Sequence, residues 1–323
     1  MKRLCVTMLA TAMLVGAGVI WGAGQARADT DLRVGKAMAA AFNFAPLDVG
    51  MAEGIFKKHG LTIQKFDFGG SARLQQGLAA GSIDIGLGSG PEFAMVVKGS
   101  PAIGVGEIAG KPSLLSIIVP MTTPFRTVAD LKGHRIAVST AGSLTQWLVR
   151  ALSRRQGWGP LGIQTPTLGP DATMIAAMRA GEVDGLVSDI ATGYQLEARG
   201  QAKVFLKFGD IVDHFVIQVI WAHKDLIAKN PQAVRDFLAA WYESVAWMQA
   251  HKDETAKITG PVMGTDTAIA ARVYGELMPA MSRDGKFDPA GLDVLASSFP
   301  ELHLLDRKVD LHAYLDEEYL PKK

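Results

Sequence analysis

The stretch DLKGHRIAVSTAGSLTQWLVRAL, residues 130–152, decides the fold of this 323-residue chain. A polar lead, Asp130-Leu131-Lys132-Gly133, runs into Arg135-Ile136-Ala137-Val138, a brief apolar strand. Ser139-Thr140-Ala141-Gly142-Ser143 is a turn of small residues. Beyond it Trp147, Leu148, Ala151 and Leu152 recur at the spacing of one helix face. Strand, tight turn and helix make half of a βαβ unit. Free backbone N–H groups and hydroxyls gather there at the positive end of a helix, a seat for a small anion or polar head group that needs no catalytic side chain. The plainer alternative is that Ser143 or Thr145 only caps its helix.

The same alternation extends in both directions. Residues 32–35, 61–66 and 83–87 are predicted strands with helices between them, and Pro91 stands at a first helical position, where its missing N–H costs nothing. Residues 163–168 and 183–187 are further predicted strands flanking a helix over 172–180. Gly81-Ser82-Ile83-Asp84-Ile85-Gly86 is echoed by Gly181-Glu182-Val183-Asp184-Gly185-Leu186, which reads as one αβ corner used twice. Strand and helix in alternation predict an α/β fold, a parallel sheet with helices on its faces. Apolar runs at 114–119 and 215–221 bracket one complete α/β unit, as a chain needs to pass into a second lobe and return. Two doubly wound lobes joined by two crossover strands are therefore expected: lobe 1 over 29–117 and 218–323, lobe 2 over 118–217. After the second run the sequence turns helical. Asn230 caps and Pro231 opens a helix whose stripe Val234, Phe237, Leu238, Trp241, Val245 and Met248 reads as core.

Residues 1–28 carry a basic start (Lys2, Arg3), a charge-free apolar run over 4–24 and an Ala26-Arg27-Ala28 exit, the pattern of a leader cleaved after Ala28. Glycines at 16, 18, 22 and 24 weigh against a retained membrane anchor, and the periplasm is the expected destination. Cleavage removes Lys2, Arg3, Arg27 and Cys5, the single cysteine, so a chain of formal net charge +1 becomes slightly acidic. Without a Lys/Arg run it lacks the electrostatic footprint of a nucleic-acid binder. Without cysteine it has no disulfide, thiolate metal site or cysteine nucleophile. The histidines show no metal-ligand spacing, so neither a metal nor a cofactor is expected.

Three segments carry a family resemblance. Residues 46–61 (PLDVGMAEGIFKKHGL), 78–86 (LAAGSIDIG) and 128–138 (VADLKGHRIAV), continued by 230–238 (NPQAVRDFL), resemble the periplasmic solute-binding proteins that take nitrate, sulfonates, taurine or thiamine-precursor pyrimidines. The resemblance covers nearly the whole chain from Leu32 onward. It implies a type II periplasmic-binding-protein fold, and a partner permease of an ABC importer in the inner membrane. Alkanesulfonate-binding members tend to show a Trp-x-Asp-Pro-like stretch where this chain reads Ser188-Asp189-Ile190-Ala191. Pyrimidine-forming enzymes of the same fold use a cysteine-rich motif, which is absent after cleavage.

In doubly wound sheets ligands sit beyond the carboxyl ends of the strands. The turns at those ends nominate Phe42, Asn43 and Phe44; Gly70 and Ser71; Ser89 and Gly90; Thr140, Gly142 and Ser143; and Ser188 and Asp189. Four of the five are rich in Ser, Thr or Gly and precede a helix. Asn43 offers a donor and an acceptor, with Phe42 or Phe44 as an apolar wall, while Asp189 either faces the ligand or caps a helix. Arg73 and His214 are secondary candidates, each with a solvated alternative. The expected function is capture of a small polar or anionic organic solute (sulfonate, nitrate, carboxylate or pyrimidine-like) by lobe closure, in a monomer that performs no chemistry. An enzyme of the same fold acting on a pyrimidine or small organic acid, and a ligand-presenting partner of a membrane sensor, are the alternatives.

Overall fold

The computed structural model describes residues 29–322; the leader expected over 1–28 lies outside the described residues. The chain opens with β1 (Thr30–Lys36), a 3-10 turn at Phe42–Phe44, α1 (Ala45–Ala52), α2 (Ile55–Lys58), β2 (Leu61–Asp67), α3 (Ser71–Ala79), β3 (Ile85–Ser89), α4 (Phe93–Val97) and β4 (Ala102–Ala109). It crosses to β5 (Leu115–Pro120), β6 (Ile136–Ala137), α5 (Leu144–Arg155), α6 (Asp171–Arg179), β7 (Gly185–Asp189), α7 (Ile190–Ala198) and β8 (Ala202–Lys207). It returns through β9 (Gln218–His223) into α8 (Lys224–Lys229), α9 (Pro231–Ala250), α10 (Lys252–Val262), α11 (Thr267–Leu277) and α12 (Pro289–Ser298).

Two sheets result, ordered β2-β1-β3-β9-β4 and β6-β7-β5-β8. Each is mixed. β1 is parallel to β2 and β3, and β6 to β7, but the strand that carries the chain between lobes runs against its neighbours: β9 opposes β3 and β4, and β5 opposes β7 and β8. The second sheet already begins at Leu115, ahead of the boundary at 117 expected from sequence. The crossings are residues 110–114 and 208–217, and they are paired: Phe215 N–H donates to Gly110 O and Ile217 N–H to Ala109 O, both at 3.0 Å. The two crossing segments thus run side by side between the lobes, in the position of a hinge.

The repeated corner is a shared device in the two lobes. Asp84 accepts the Arg33 backbone N–H at 2.9 Å and its guanidinium at 2.7 Å, while Asp184 accepts the same groups of Arg135 at 2.9 and 3.0 Å. Each fastens the start of a strand to the strand beside it. The predicted strand over 163–168 is reduced to isolated bridges, Arg135 with Gln164 and Val138 with Thr167. Pro166 has no N–H to donate, so the ladder cannot continue through it. In α9 the expected stripe is fully buried, and Asn230 Oδ1 accepts the Ala233 N–H at 3.2 Å. Among the described residues no helix is long and apolar enough to cross a membrane.

Candidate functional site

Where the carboxyl ends of the strands meet the hinge, a cavity of about 490 Å³ opens between the lobes. That volume lies within the range that holds a small organic ligand. Lobe 1 contributes Met38 beyond β1, Ser71 and Ala72 opening α3, Ser89 ending β3, and Pro91, Glu92 and Met95 behind it. The hinge region contributes Leu114, Leu115, Ile217 and Gln218; the α5 turn contributes Ser139, Gly142, Ser143, Leu144 and Thr145. Leu302 and Leu304, from the segment after α12, close one side.

The polar groups fall into two clusters. On lobe 1, Ser71 and Ser89 hydroxyls lie 3.1 Å apart. Ser89 and Glu92 form a capping box, with the Glu92 carboxylate accepting the Ser89 N–H at 2.7 Å. Gln75 Nε2 donates to the same carboxylate at 2.7 Å, and the Ser89 hydroxyl at 3.3 Å. Burial pushes the Glu92 carboxyl above its ordinary range, with hydrogen bonds from Ser71, Gln75 and Ser89 pulling the other way. Glu92 is thus a brace whose lone pairs are already engaged. On lobe 2, Ser143 caps α5 by accepting the Gln146 N–H at 3.3 Å. The Thr145 hydroxyl lies 3.1 Å from that of Ser139 and 2.8 Å from that of Ser143. Three hydroxyls and the first turn of a twelve-residue helix therefore face the cavity. Among the described residues that line it there is no lysine, arginine or histidine.

Gly142 has φ +70°, a left-handed conformation suited to glycine, and its N–H donates to Gln146 Oε1 at 2.9 Å. A Cβ there would stand 2.8 Å from Leu302 O. The segment after α12 thus crosses onto the lobe 2 turn, and an ion pair from Glu301 to Arg154 of α5 at 2.8 Å holds it there.

Of the residues nominated from sequence, Ser71, Ser89, Gly142 and Ser143 line the cavity. The others are placed elsewhere. Phe42, Asn43 and Phe44 are all buried in the 3-10 turn, with Phe42 edge-on to Tyr274 of α11 at 6.2 Å. They do not alternate between core and cleft because the turn is helical, not extended. Gly70 donates its N–H to Ala37 O at 2.6 Å, and Gly90 its own to Ile217 O at 2.9 Å, so both are backbone clamps beside the cavity and not part of its lining. Thr140 is exposed, and its carbonyl accepts the Ser143 N–H at 3.2 Å. Ser188 is buried with its hydroxyl on Asp171. Asp189 caps α7, accepting the Ala191 N–H at 2.8 Å. Burial of that carboxyl pushes it up to about 6, with the nearby charge of Asp171 adding to the effect, although the residue keeps part of its surface exposed. Arg73 is exposed, and His214 lies on the second crossing with its ring 2.7 Å from Asp288. Sequence reasoning passed over the apolar lining and Gln218. The one legible sign of Gln218 is a single polar residue inside the apolar run 215–221.

Two α/β sheets joined by paired crossings, with a cavity lined from both sides of them, define a two-lobed protein of the type II periplasmic-binding fold. The chain belongs to the NMT1/THI5-like family, whose family model matches residues 41–255. It is 29% identical over 248 residues to a putative aliphatic sulfonates-binding protein of Escherichia coli (strain K12), an alignment covering 76% of each chain. The crystal structure of the periplasmic aliphatic sulphonate binding protein SsuA from Escherichia coli superposes with a TM-score of 0.76 at 22% identity, over 88% of this chain and 92% of that one. The desulfurization enzyme DSZB shares the fold as well, with a TM-score of 0.65 at 18% identity, over 90% of this chain and 97% of the enzyme.

Proposed function

We propose that this chain is the solute-binding component of an ABC importer. It acts as an exported periplasmic monomer that takes up a small organic solute with an apolar body and a polar or anionic end, and presents the closed form to a membrane permease. The observation that carries the reading is the cavity itself: its walls come from both lobes and its floor from the hinge, so rotation about the paired crossings changes its volume. The apolar lining accepts the body of the guest. The α5 N-terminus with Ser139, Ser143 and Thr145 accepts a sulfonate or carboxylate end, because first-turn N–H groups lack partners within their own helix and the hydroxyls beside them can turn to donate. The name of the Escherichia coli relative makes aliphatic sulfonates the first compounds to try.

The same arrangement weighs against turnover. The Glu92 carboxyl beside Ser89 already accepts the Ser89 N–H and Gln75 Nε2, so it is committed as a brace and is not free to activate a nucleophile. The test is a thermal-shift screen of the chain from residue 29 against alkanesulfonates, nitrate, aromatic acids and pyrimidines, with recovery of each hit. A compound that raises the melting temperature and returns unchanged is the expected result. Conversion of that compound would favour the enzyme shared by the fold, and no hit would leave the transport reading without a solute.

A further inference from the structure

Gln218 is the first residue of β9 and lies directly opposite Ser89 on β3, so its side chain shares a face with the Ser71–Ser89 hydroxyl pair. It lines the cavity and is 2% exposed. Its Oε1 is buried and has no hydrogen-bond partner among the described residues. Of the described cavity-lining residues it is the only one with such an atom. The neighbouring polar groups are engaged with one another: the Glu92 carboxylate accepts from Gln75 and Ser89, and the Ser71 and Ser89 hydroxyls share one hydrogen bond. A buried acceptor that no protein group donates to is costly to leave unpaired, and such groups are rare in native structures.

We infer that Gln218 selects the solute, by requiring a hydrogen-bond donor on the guest, an N–H or O–H carried on an apolar body at the end away from α5. This rests on the transport reading above and narrows it: an alkyl chain that ends in a methyl group leaves Oε1 unpaired, whereas a neutral donor on that chain or ring completes it. A neutral donor fits better than an ammonium, because Glu92, the one acid among the described residues of the lining, has its oxygens engaged and is not free to serve as a counter-ion.

The test uses three probes of similar shape on the exported chain, differing only in the group opposite the sulfonate: 4-aminobenzenesulfonate has a donor there, 4-methylbenzenesulfonate neither donor nor acceptor, and 4-nitrobenzenesulfonate acceptors only. Titration calorimetry on the parent is expected to rank the amino compound about tenfold to a hundredfold tighter than the other two, the worth of satisfying a buried acceptor. Gln218→Leu is expected to erase that ranking while leaving the ligand-free melting temperature equal or higher, since it removes a polar atom that had no partner. Gln218→Met is a second variant with the same expectation should Leu disturb β9. Three equal affinities in the parent, a preference for the nitro compound, or a ranking that survives both variants would overturn the inference. So would a large fall in ligand-free melting temperature in both variants, which would make the amide structural. Failure of all three probes to bind overturns it too, and the wider solute screen then decides separately whether the chain binds anything.

Discussion

Gly90 carries the sharpest quantitative prediction. A Cβ built on it would stand 1.8 Å from Val216 O, a backbone atom of the second crossing, while an ordinary nonbonded contact needs about 3.5 Å. No flexible side chain can yield there, so the β3 turn and the crossing must separate. Separation also strains the bond from Gly90 N–H to Ile217 O. Overpacking costs about 1–3 kcal/mol and a weakened hydrogen bond about 1 kcal/mol, against a gain of about 0.5–1 kcal/mol from a stiffer unfolded chain. Gly90→Ala should therefore destabilise by about 1–3.5 kcal/mol. It should also weaken solute binding, because Ile217 and Gln218 beside it line the cavity. Gly275 is the control. It lies inside α11, and a Cβ there meets nothing within 4 Å, so Gly275→Ala should stabilise by about 0.5–1 kcal/mol. Denaturant titration followed by tryptophan fluorescence reads both. The reasoning fails if Gly90→Ala stays within about 0.5 kcal/mol of the parent, or if the two variants shift the same way.

Three further predictions follow from single groups. Asp48 receives the fully buried Lys36 at 2.7 Å and Lys65 at 2.6 Å, so Asp48→Ala leaves a buried ammonium unpaired and should cost about 3–5 kcal/mol. A loss below about 1 kcal/mol in the same titration would contradict this. Burial, reinforced by the charges of Asp288, Glu317 and Asp284, pushes Glu107 up to about 7 from its ordinary 4.5. Between those two values the folded chain keeps a proton that the unfolded chain releases, so stability should fall as pH rises through that window, by up to about 1.4 kcal/mol per pH unit, and level off above it. Glu107→Gln should flatten that slope, and parallel slopes in the two proteins would refute the assignment. Ser143→Asp keeps a good cap and adds a charge that the helix N-terminus favours, so stability should hold. The same charge repels an anionic solute end, and calorimetry should show affinity for a sulfonate hit lowered at least tenfold; unchanged affinity would move the anion seat away from α5.

Much of the architecture was legible because a local rule and the tertiary outcome agree. The period-2 and period-3.6 patterns alternate through both lobes, and the Asp84 and Asp184 corners share one hydrogen-bond set, so the echo in sequence marks an echo in structure. Ser71, Ser89, Gly142 and Ser143 reach the cavity because caps and turns at strand ends have few other places to point. Phe42–Phe44 lie in the interior because the chain coils there, with Phe42 against Tyr274, and no local cue in the sequence marks that turn. Glu92 was present in outline: Ser89-Gly90-Pro91-Glu92 has the spacing of a capping box, but nothing in the sequence says that the box borders a cavity. Leu302 and Leu304 lie far along the chain from every strand end, and only the return of the C-terminal segment across the cleft brings them to Gly142.

The most direct test of the account is a crystal structure of the chain with a solute found by the screen. The account predicts one intact guest between the lobes, its body against Leu115, Ile217 and Leu304, a donor on Gln218 and its polar end at Ser143 and Thr145. A guest seated outside the hinge, touching one lobe only, or recovered as a cleaved product, would contradict it.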